Sequence, residues 1–166
     1  MRVAQQALAI ARIETGQGVV ENKARVVAWD RLNSMLSTLD SKTSVLLRFN
    51  AIVVAALAYV LVIAPTEPFM GTNATVKLVG QLIGHGSLLA SVVSCGFAFP
   101  VINVQWDFFG MRLDRPLDTE SPFDDAALQR QGDLVAWRTR LYSWAWRLAV
   151  AGGIGFAVLV GIGTLH

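Results

Sequence analysis

The apolar positions of this chain fall into three blocks rather than into the dispersed pattern of a globular core. The first reaches from about Val45 to Ala64, and no charge interrupts the residues from Phe49 to Thr66. Pro65 and Pro68 close it, because proline cannot continue a helix cheaply. The second, Leu78 to Trp106, holds no Asp, Glu, Lys or Arg. It exceeds the roughly 20 residues that a spanning helix requires, so its membrane part is expected to end near Phe99, with Pro100 marking a kink or an exit. The third, Leu148 to Leu165, is again free of charge and follows Trp144, Trp146 and Arg147, a combination suited to an interfacial anchor. Soluble helices rarely stay apolar on every face for this long. The pattern predicts an all-α membrane protein: three transmembrane helices, a cytoplasmic N-terminal amphipathic helix, and a cytoplasmic helical extension of the third span. The expected division is a cytoplasmic segment 1–44, a first span 45–64, a periplasmic loop 65–77, a second span 78–99, a cytoplasmic segment 100–143 and a third span 144–165.

The segments between the spans carry helical periodicity of their own. Gly16-Gln17-Gly18 breaks the first into two helices. Beyond Glu21, Val26, Trp29, Leu32, Met35/Leu36 and Leu39 recur every three or four residues, an amphipathic stripe. No breaker separates this stripe from the first span, so one helix is expected to run straight into the membrane. In the second segment Ser121 reads as an N-cap with Pro122 at the first helical position, and Asp124 and Asp125 suit the positive end of the helix dipole. Leu128, Leu134/Val135, Leu141 and Ala145 continue at helical spacing, which predicts an unbroken helix from Pro122 to Leu165.

Composition agrees. Of 166 residues, 54% are apolar and 16% charged, and the mean hydropathy is +0.48; soluble domains carry about 25% charged residues. A disordered chain, a disulfide scaffold and an ordinary cytosolic enzyme are thereby disfavoured. The single cysteine, Cys95, forms no intramolecular disulfide, and a net charge of +2 is too small to argue for nucleic acid. The placement of Lys and Arg is more informative. Seven precede Phe49, six lie between the second and third spans, one (Lys77) lies between the first two, and none follows the third. Basic residues favour the cytoplasmic side, so the N-terminus and the 105–147 segment are expected inside and the C-terminus in the periplasm. Asn73-Ala74-Thr75 reads as a loop despite its glycosylation pattern.

Catalytic and metal-binding patterns were sought in the same residues. Two histidines and one cysteine provide no zinc-ligand spacing. Asp118, Glu120, Asp124 and Asp125 lack the alternating pattern of a calcium loop and read as capping and solvation. No phosphate loop follows a strand, and no Ser/His/Asp set has support, so no enzyme, metal or resident cofactor is expected. Inside the spans, His85 is an ionisable residue at membrane depth, balanced by a hydrogen bond to Gln81 one turn away. Arg48 and Asn50 stand at the inner edge of the first span, where Arg48 snorkels to head groups and Asn50 requires a partner on another helix. Ala145, Ala149, Gly153, Ala157 and Gly161 recur at every fourth position of the third span, and Gly80, Gly84, Ser87, Ser91, Ser94 and Ala98 form a similar ribbon on the second. Such ribbons let helix backbones approach closely in lipid, within one subunit or between subunits. Three helices do not easily enclose an aqueous path, so any permeabilising activity implies a homo-oligomer.

The junction Leu39-Asp40-Ser41-Lys42-Thr43-Ser44-Val45-Leu46-Leu47-Arg48-Phe49-Asn50-Ala51 resembles the Asp-x-Lys, Leu-Leu, Asn-Ala signature of the Pycsar-type membrane effectors, bacterial anti-phage proteins with a few transmembrane helices. Pro100 and Phe108-Phe109-Gly110 are similar to that family's pattern too, and the likeness covers roughly residues 29 to 112. This chain departs from a two-helix version by its third span. The resemblance implies a partner cyclase producing cyclic CMP or cyclic UMP, and an effector that damages the inner membrane when it senses that nucleotide. Such a ligand requires cations for its phosphate and a flat face for its base. The candidates are Arg25, Trp29 and Arg31 in the first segment, and Trp106, Phe108, Arg112, Arg115, Trp137, Arg138 and Arg140 in the second. Asp40, Lys42, Arg48 and Asn50 form the expected gating junction. Asp40 and Lys42 are two apart and do not face each other on a helix, so each reaches a different neighbour. The start of the third long helix, around Arg138 and Arg140, is the expected partner surface. Ala149, Gly153, Ala157 and Gly161 are the expected helix-packing positions. The rival readings are a constitutive holin-like pore and an accessory subunit of a membrane complex.

Overall fold

The computed structural model describes residues 3–15, 21–63, 73–103 and 125–164. They form four α-helices and one π-helical turn, with no strand among the described residues. Helix α1 is Val3–Thr15. Helix α2, Glu21–Ala58, contains neither Gly nor Pro, so nothing interrupts its 38 residues. At 1.5 Å per residue it is about 57 Å long. It passes into the wider turn Tyr59–Ile63. Helix α3, Ala74–Asn103, begins with the Lys77 amide donating to the Asn73 carbonyl at 3.1 Å. Helix α4, Asp125–Thr164, has 40 residues. Its expected cap, Ser121 and Pro122, lies outside the described residues, as do Gly16-Gln17-Gly18.

Pro100 lies inside α3, which continues as a helix to Asn103. Proline removes one backbone donor, but in apolar surroundings the helical bonds on either side remain the best available partners for the chain.

Helices α2, α3 and α4 are each long and apolar enough to cross a membrane. The chain is therefore an all-α, multi-pass membrane protein. Its contacts divide into two compact units, and α2, α3 and α4 each contribute to both.

The first unit contains α1, α2 as far as Lys42, the end of α3 from Val101 and α4 as far as Leu141. Its core joins Ala4, Ala7 and Ala11 of α1, Ala28 and Leu32 of α2, and Leu128 and Val135 of α4, with Trp29 and Leu36 packed against it. The stripe read from the sequence thus faces inward through Trp29, Leu32 and Leu36, whereas Met35 is exposed. Alanines let α1 lie close to α4. A Cβ on Gly132 would stand 2.7 Å from the backbone nitrogen of Ala4, so only glycine fits this crossing.

The second unit contains α2 from Thr43, α3 as far as Pro100 and α4 from Tyr142. Leu46, Ala98, Ala145 and Ala149 form one buried cluster, and Val53, Leu57 and Leu159 another. The remaining pattern is inverted relative to a soluble bundle. Thr43, Asn50, Ser87, Ser91 and Ser94 are buried, while Val45, Ile52, Leu82, Leu89, Phe99 and Ile154 are each at least 60% exposed. Lipid removes the hydrophobic reason to bury large apolar side chains and leaves polar and small residues as the packing material. The expected α3 ribbon is realised in full, with Gly80, Gly84, Ser87, Ser91, Ser94 and Ala98 all buried. At the start of this unit's α4 segment, Trp144 and Trp146 are exposed, and the Arg147 guanidinium lies 5.4 Å from the Trp144 ring centre.

Candidate functional site

Among the described residues each unit contains a polar arrangement, partly buried in the first and buried in the second. In the first, Gln131 Nε2 donates to Asn33 Oδ1 at 3.0 Å, and Arg138 Nη1 pairs with Asp40 Oδ1 at 3.4 Å. The members of both pairs are 98 residues apart in sequence, and the Arg138–Asp40 pair lies seven positions beyond the Gln131–Asn33 pair on both helices. Helices α2 and α4 therefore run parallel here, matched heptad to heptad, with polar partners where a coiled-coil seam places its register-setting residues. Arg138 is only 2% exposed and Asp40 20%. Both groups lie outside the charge-free stretches of α2 and α4. Burial pushes the Asp40 carboxyl above the usual carboxylate range, outweighing the attraction of Arg138. Burial likewise lowers Arg138, more than Asp40 raises it. For each member, lost hydration exceeds mutual attraction, the usual balance of a buried ion pair with imperfect geometry. Arg138 Nε has no hydrogen-bond partner among the described residues.

The second unit ties its three helices with one chain of hydrogen bonds. Asn50 Nδ2 on α2 donates to Ser94 Oγ on α3 at 2.7 Å, and Ser94 Oγ donates to the Ala145 carbonyl on α4 at 2.6 Å. All three residues are fully buried. This is the partner on another helix that an amide at this depth requires. Asn50 Oδ1 and Ser91 Oγ are also buried, and neither has a partner among the described residues. Ser91 faces Gly152: a Cβ there would collide with Ser91 Oγ and stand 3.1 Å from the Ser87 carbonyl. A Cβ on Gly155 would collide with Ser87 Oγ.

The expected site residues divide accordingly. Of the gating junction, Asp40 and Asn50 make the buried contacts above, while Lys42 and Arg48 are exposed. Of the ligand candidates, Arg138 is buried on Asp40, and Arg140 and Trp137 are exposed. Arg25, Trp29 and Arg31 are half-buried and already engaged in polar or ring contacts. Arg112, Arg115, Trp106 and Phe108 lie outside the described residues. Of the α4 ribbon, Ala149 is buried, Gly153 faces the Phe49 ring with 3.2 Å to a would-be Cβ, Ala157 is exposed, and a Cβ on Gly161 would meet nothing. Gly152 and Gly155 of the same helix also make close approaches, to Ser91 and Ser87. His85 Nδ1 lies 2.7 Å from the Gln81 backbone carbonyl, so the hydrogen bond expected with Gln81 goes to its main chain. Gln131 with Asn33 escaped the sequence reading, although their heptad offset from Arg138 and Asp40 was visible there. Among the described residues no group of three His, Cys, Asp or Glu is placed to hold a metal ion.

Comparison of the chain with family models, with curated proteins and with solved structures finds no match.

Proposed function

We propose that this chain is a bacterial inner-membrane effector of anti-phage defence. It assembles with copies of itself, and when a partner cyclase supplies cyclic CMP or cyclic UMP it impairs membrane integrity and halts growth. The observation that carries this reading concerns α2. The segment that resembles the Pycsar-type effectors places Asp40 on Arg138 in the first unit and Asn50 on Ser94 in the second, on a helix without Gly or Pro. A ligand drives a change only by binding one arrangement better than another. A continuous helix bearing both contacts is a physical route for such a difference to reach the membrane. Arg140, which is exposed, offers a forked phosphate contact of the kind that a cyclic nucleotide needs. No catalytic role is assigned to any residue.

Two measurements test this. Asn50→Ala is expected to abolish nucleotide-triggered growth arrest while nucleotide binding persists. Removing an interhelical hydrogen bond costs about 0.6–1.7 kcal/mol in lipid, too little to unfold the bundle but enough to shift a balanced equilibrium. Loss of binding together with arrest would move Asn50 into the ligand site. Arrest of the parent without any nucleotide supply would assign a holin-like pore instead. Harmless expression, with a larger protein co-purifying, would assign an accessory subunit. The second measurement concerns orientation and follows from the thirteen Lys and Arg on one side against one on the other. A reporter fused after His166 is expected in the periplasm and one inserted near Glu120 in the cytoplasm. Both reporters on one side would remove the shared cytoplasmic face on which nucleotide sensing depends.

A further inference from the structure

Arg147 stands at the edge of the apolar part of α4, and no Asp, Glu, Lys or Arg follows it. It is exposed, as is Trp144 one turn before it. The guanidinium lies over the Trp144 ring, 5.4 Å from its centre. A stacked ring engages the face of the guanidinium plane and leaves the in-plane N–H groups uncommitted. Among the described residues none of them has an acceptor, and the described part of the second unit contains no Asp or Glu. A fork backed by a ring in this way is pre-organised for two oxygens of one phosphate. The same outward face continues by helical spacing through Val150, Ile154 and Val158, which are 39%, 60% and 44% exposed. From Arg147 to Val158 is a rise of eleven residues, about 17 Å, close to one leaflet of a hydrocarbon core about 30 Å thick.

We infer that the outward face of α4 through Trp144, Arg147, Val150, Ile154 and Val158 binds one anionic glycerophospholipid. Its phosphodiester takes the Arg147 fork, and an acyl chain lies along the apolar stripe. The order of groups on the helix is the order of groups in the lipid: a cation backed by an interfacial aromatic, then hydrocarbon contact one leaflet deep. Charge selects the headgroup. A zwitterionic lipid brings an ammonium to a surface whose described residues include no carboxylate to receive it. An anionic headgroup brings only the charge that Arg147 lacks a partner for. Free phosphate and nucleotides share the phosphate chemistry, but neither has a chain to cover Val150, Ile154 and Val158. The inference requires the membrane-spanning fold and no nucleotide.

The test places the full-length chain in nanodiscs of equal phosphatidylglycerol and phosphatidylcholine, releases it into mild detergent, and reads the lipid it retains by native mass spectrometry. The parent is expected to keep one phosphatidylglycerol per chain, severalfold in excess of phosphatidylcholine. Arg147→Gln is expected to remove that excess, and Lys77→Gln, at an exposed cation on α3, to leave it unchanged. Arg147→Lys keeps the charge without the fork and is expected to retain only part of the preference. Helical circular dichroism of each variant checks that it is folded. Equal retention of the two lipids by the parent, or an excess that survives Arg147→Gln, would overturn the site. A full preference in Arg147→Lys would overturn the forked contact. Glycerophosphoglycerol, the same headgroup without chains, is expected not to displace the lipid. Displacement by it, or by cyclic CMP, would overturn the lipid as the source of the phosphate.

Discussion

Replacing Asp40 by Leu and Arg138 by Met together is expected to raise the thermal midpoint of the purified chain while abolishing nucleotide-triggered arrest. The stability gain follows from the geometry. Arg138 is almost wholly buried, its one ion-pair contact is long at 3.4 Å, and its Nε has no partner among the described residues. Both members lose more hydration than their attraction returns. Apolar replacement of such pairs is neutral to stabilising by about 1–4 kcal/mol. Asp40→Leu alone is expected to be less stable than the double variant, because a guanidinium cannot give up its proton to escape an uncompensated site. The pair also sets a pH dependence. The folded Asp40 carboxyl holds its proton more tightly than the unfolded one, so this contribution favours the fold at low pH. It is lost as pH rises from the ordinary carboxylate range through the raised value. Melting curves across that range are expected to slope downward with pH more steeply in the parent than in the double variant. A lower midpoint in the double variant would identify the pair as a support of the first unit rather than a polar device held at a cost in stability.

Gly152→Ala is expected to destabilise the second unit by about 1–3 kcal/mol, the usual effect of overpacking a tight contact. The added methyl collides with Ser91 Oγ and stands 3.1 Å from the Ser87 carbonyl. Ser91→Ala should act in the opposite direction. It removes a buried hydroxyl that has no partner among the described residues and leaves only ordinary contact, 3.5 Å, between the two methyl positions. Combining the two is expected to recover most of the loss, a coupling of about 0.5–3 kcal/mol between touching residues. Gly153→Ala, one position along, is expected to cost far less, because its Cβ meets only the end of the Phe49 ring. Thermal unfolding in detergent, followed by helical circular dichroism, measures all four variants. Equal losses at 152 and 153 would place the close crossing on the fourfold ribbon rather than on Gly152.

Much of the architecture was legible in the sequence because its causes are local. Phe49 to Thr66 has no charge, and α2 lacks Gly and Pro, so one helix had to run from the amphipathic stripe into the apolar stretch. The α3 ribbon was legible for the same reason, since positions 80, 84, 87, 91, 94 and 98 share a face by helical spacing alone. The need of Asn50 for a partner also followed from its residue type and depth. That the partner is Ser94 did not, because the choice depends on which turn of α3 lies beside which turn of α2.

The sequence by itself determined the class of protein: all-α, with three apolar helices and polar residues set sparingly where lipid makes them expensive. Only the tertiary structure decided the register. The seam of α4 passes through Ala145 and Ala149 and on through Gly152 and Gly155, because 3.6 residues per turn carries a strict fourfold row around the helix and away from its neighbour. The same applies to Arg138. The sequence marked the region around it and Arg140 as the partner surface for Asp40, but that Arg138 rather than Arg140 is the partner, and that it is buried there, follows from the parallel, heptad-matched pairing of α2 and α4. Composition and period fix which faces are apolar, whereas the rotation of one helix against another depends on contacts between residues nearly a hundred positions apart.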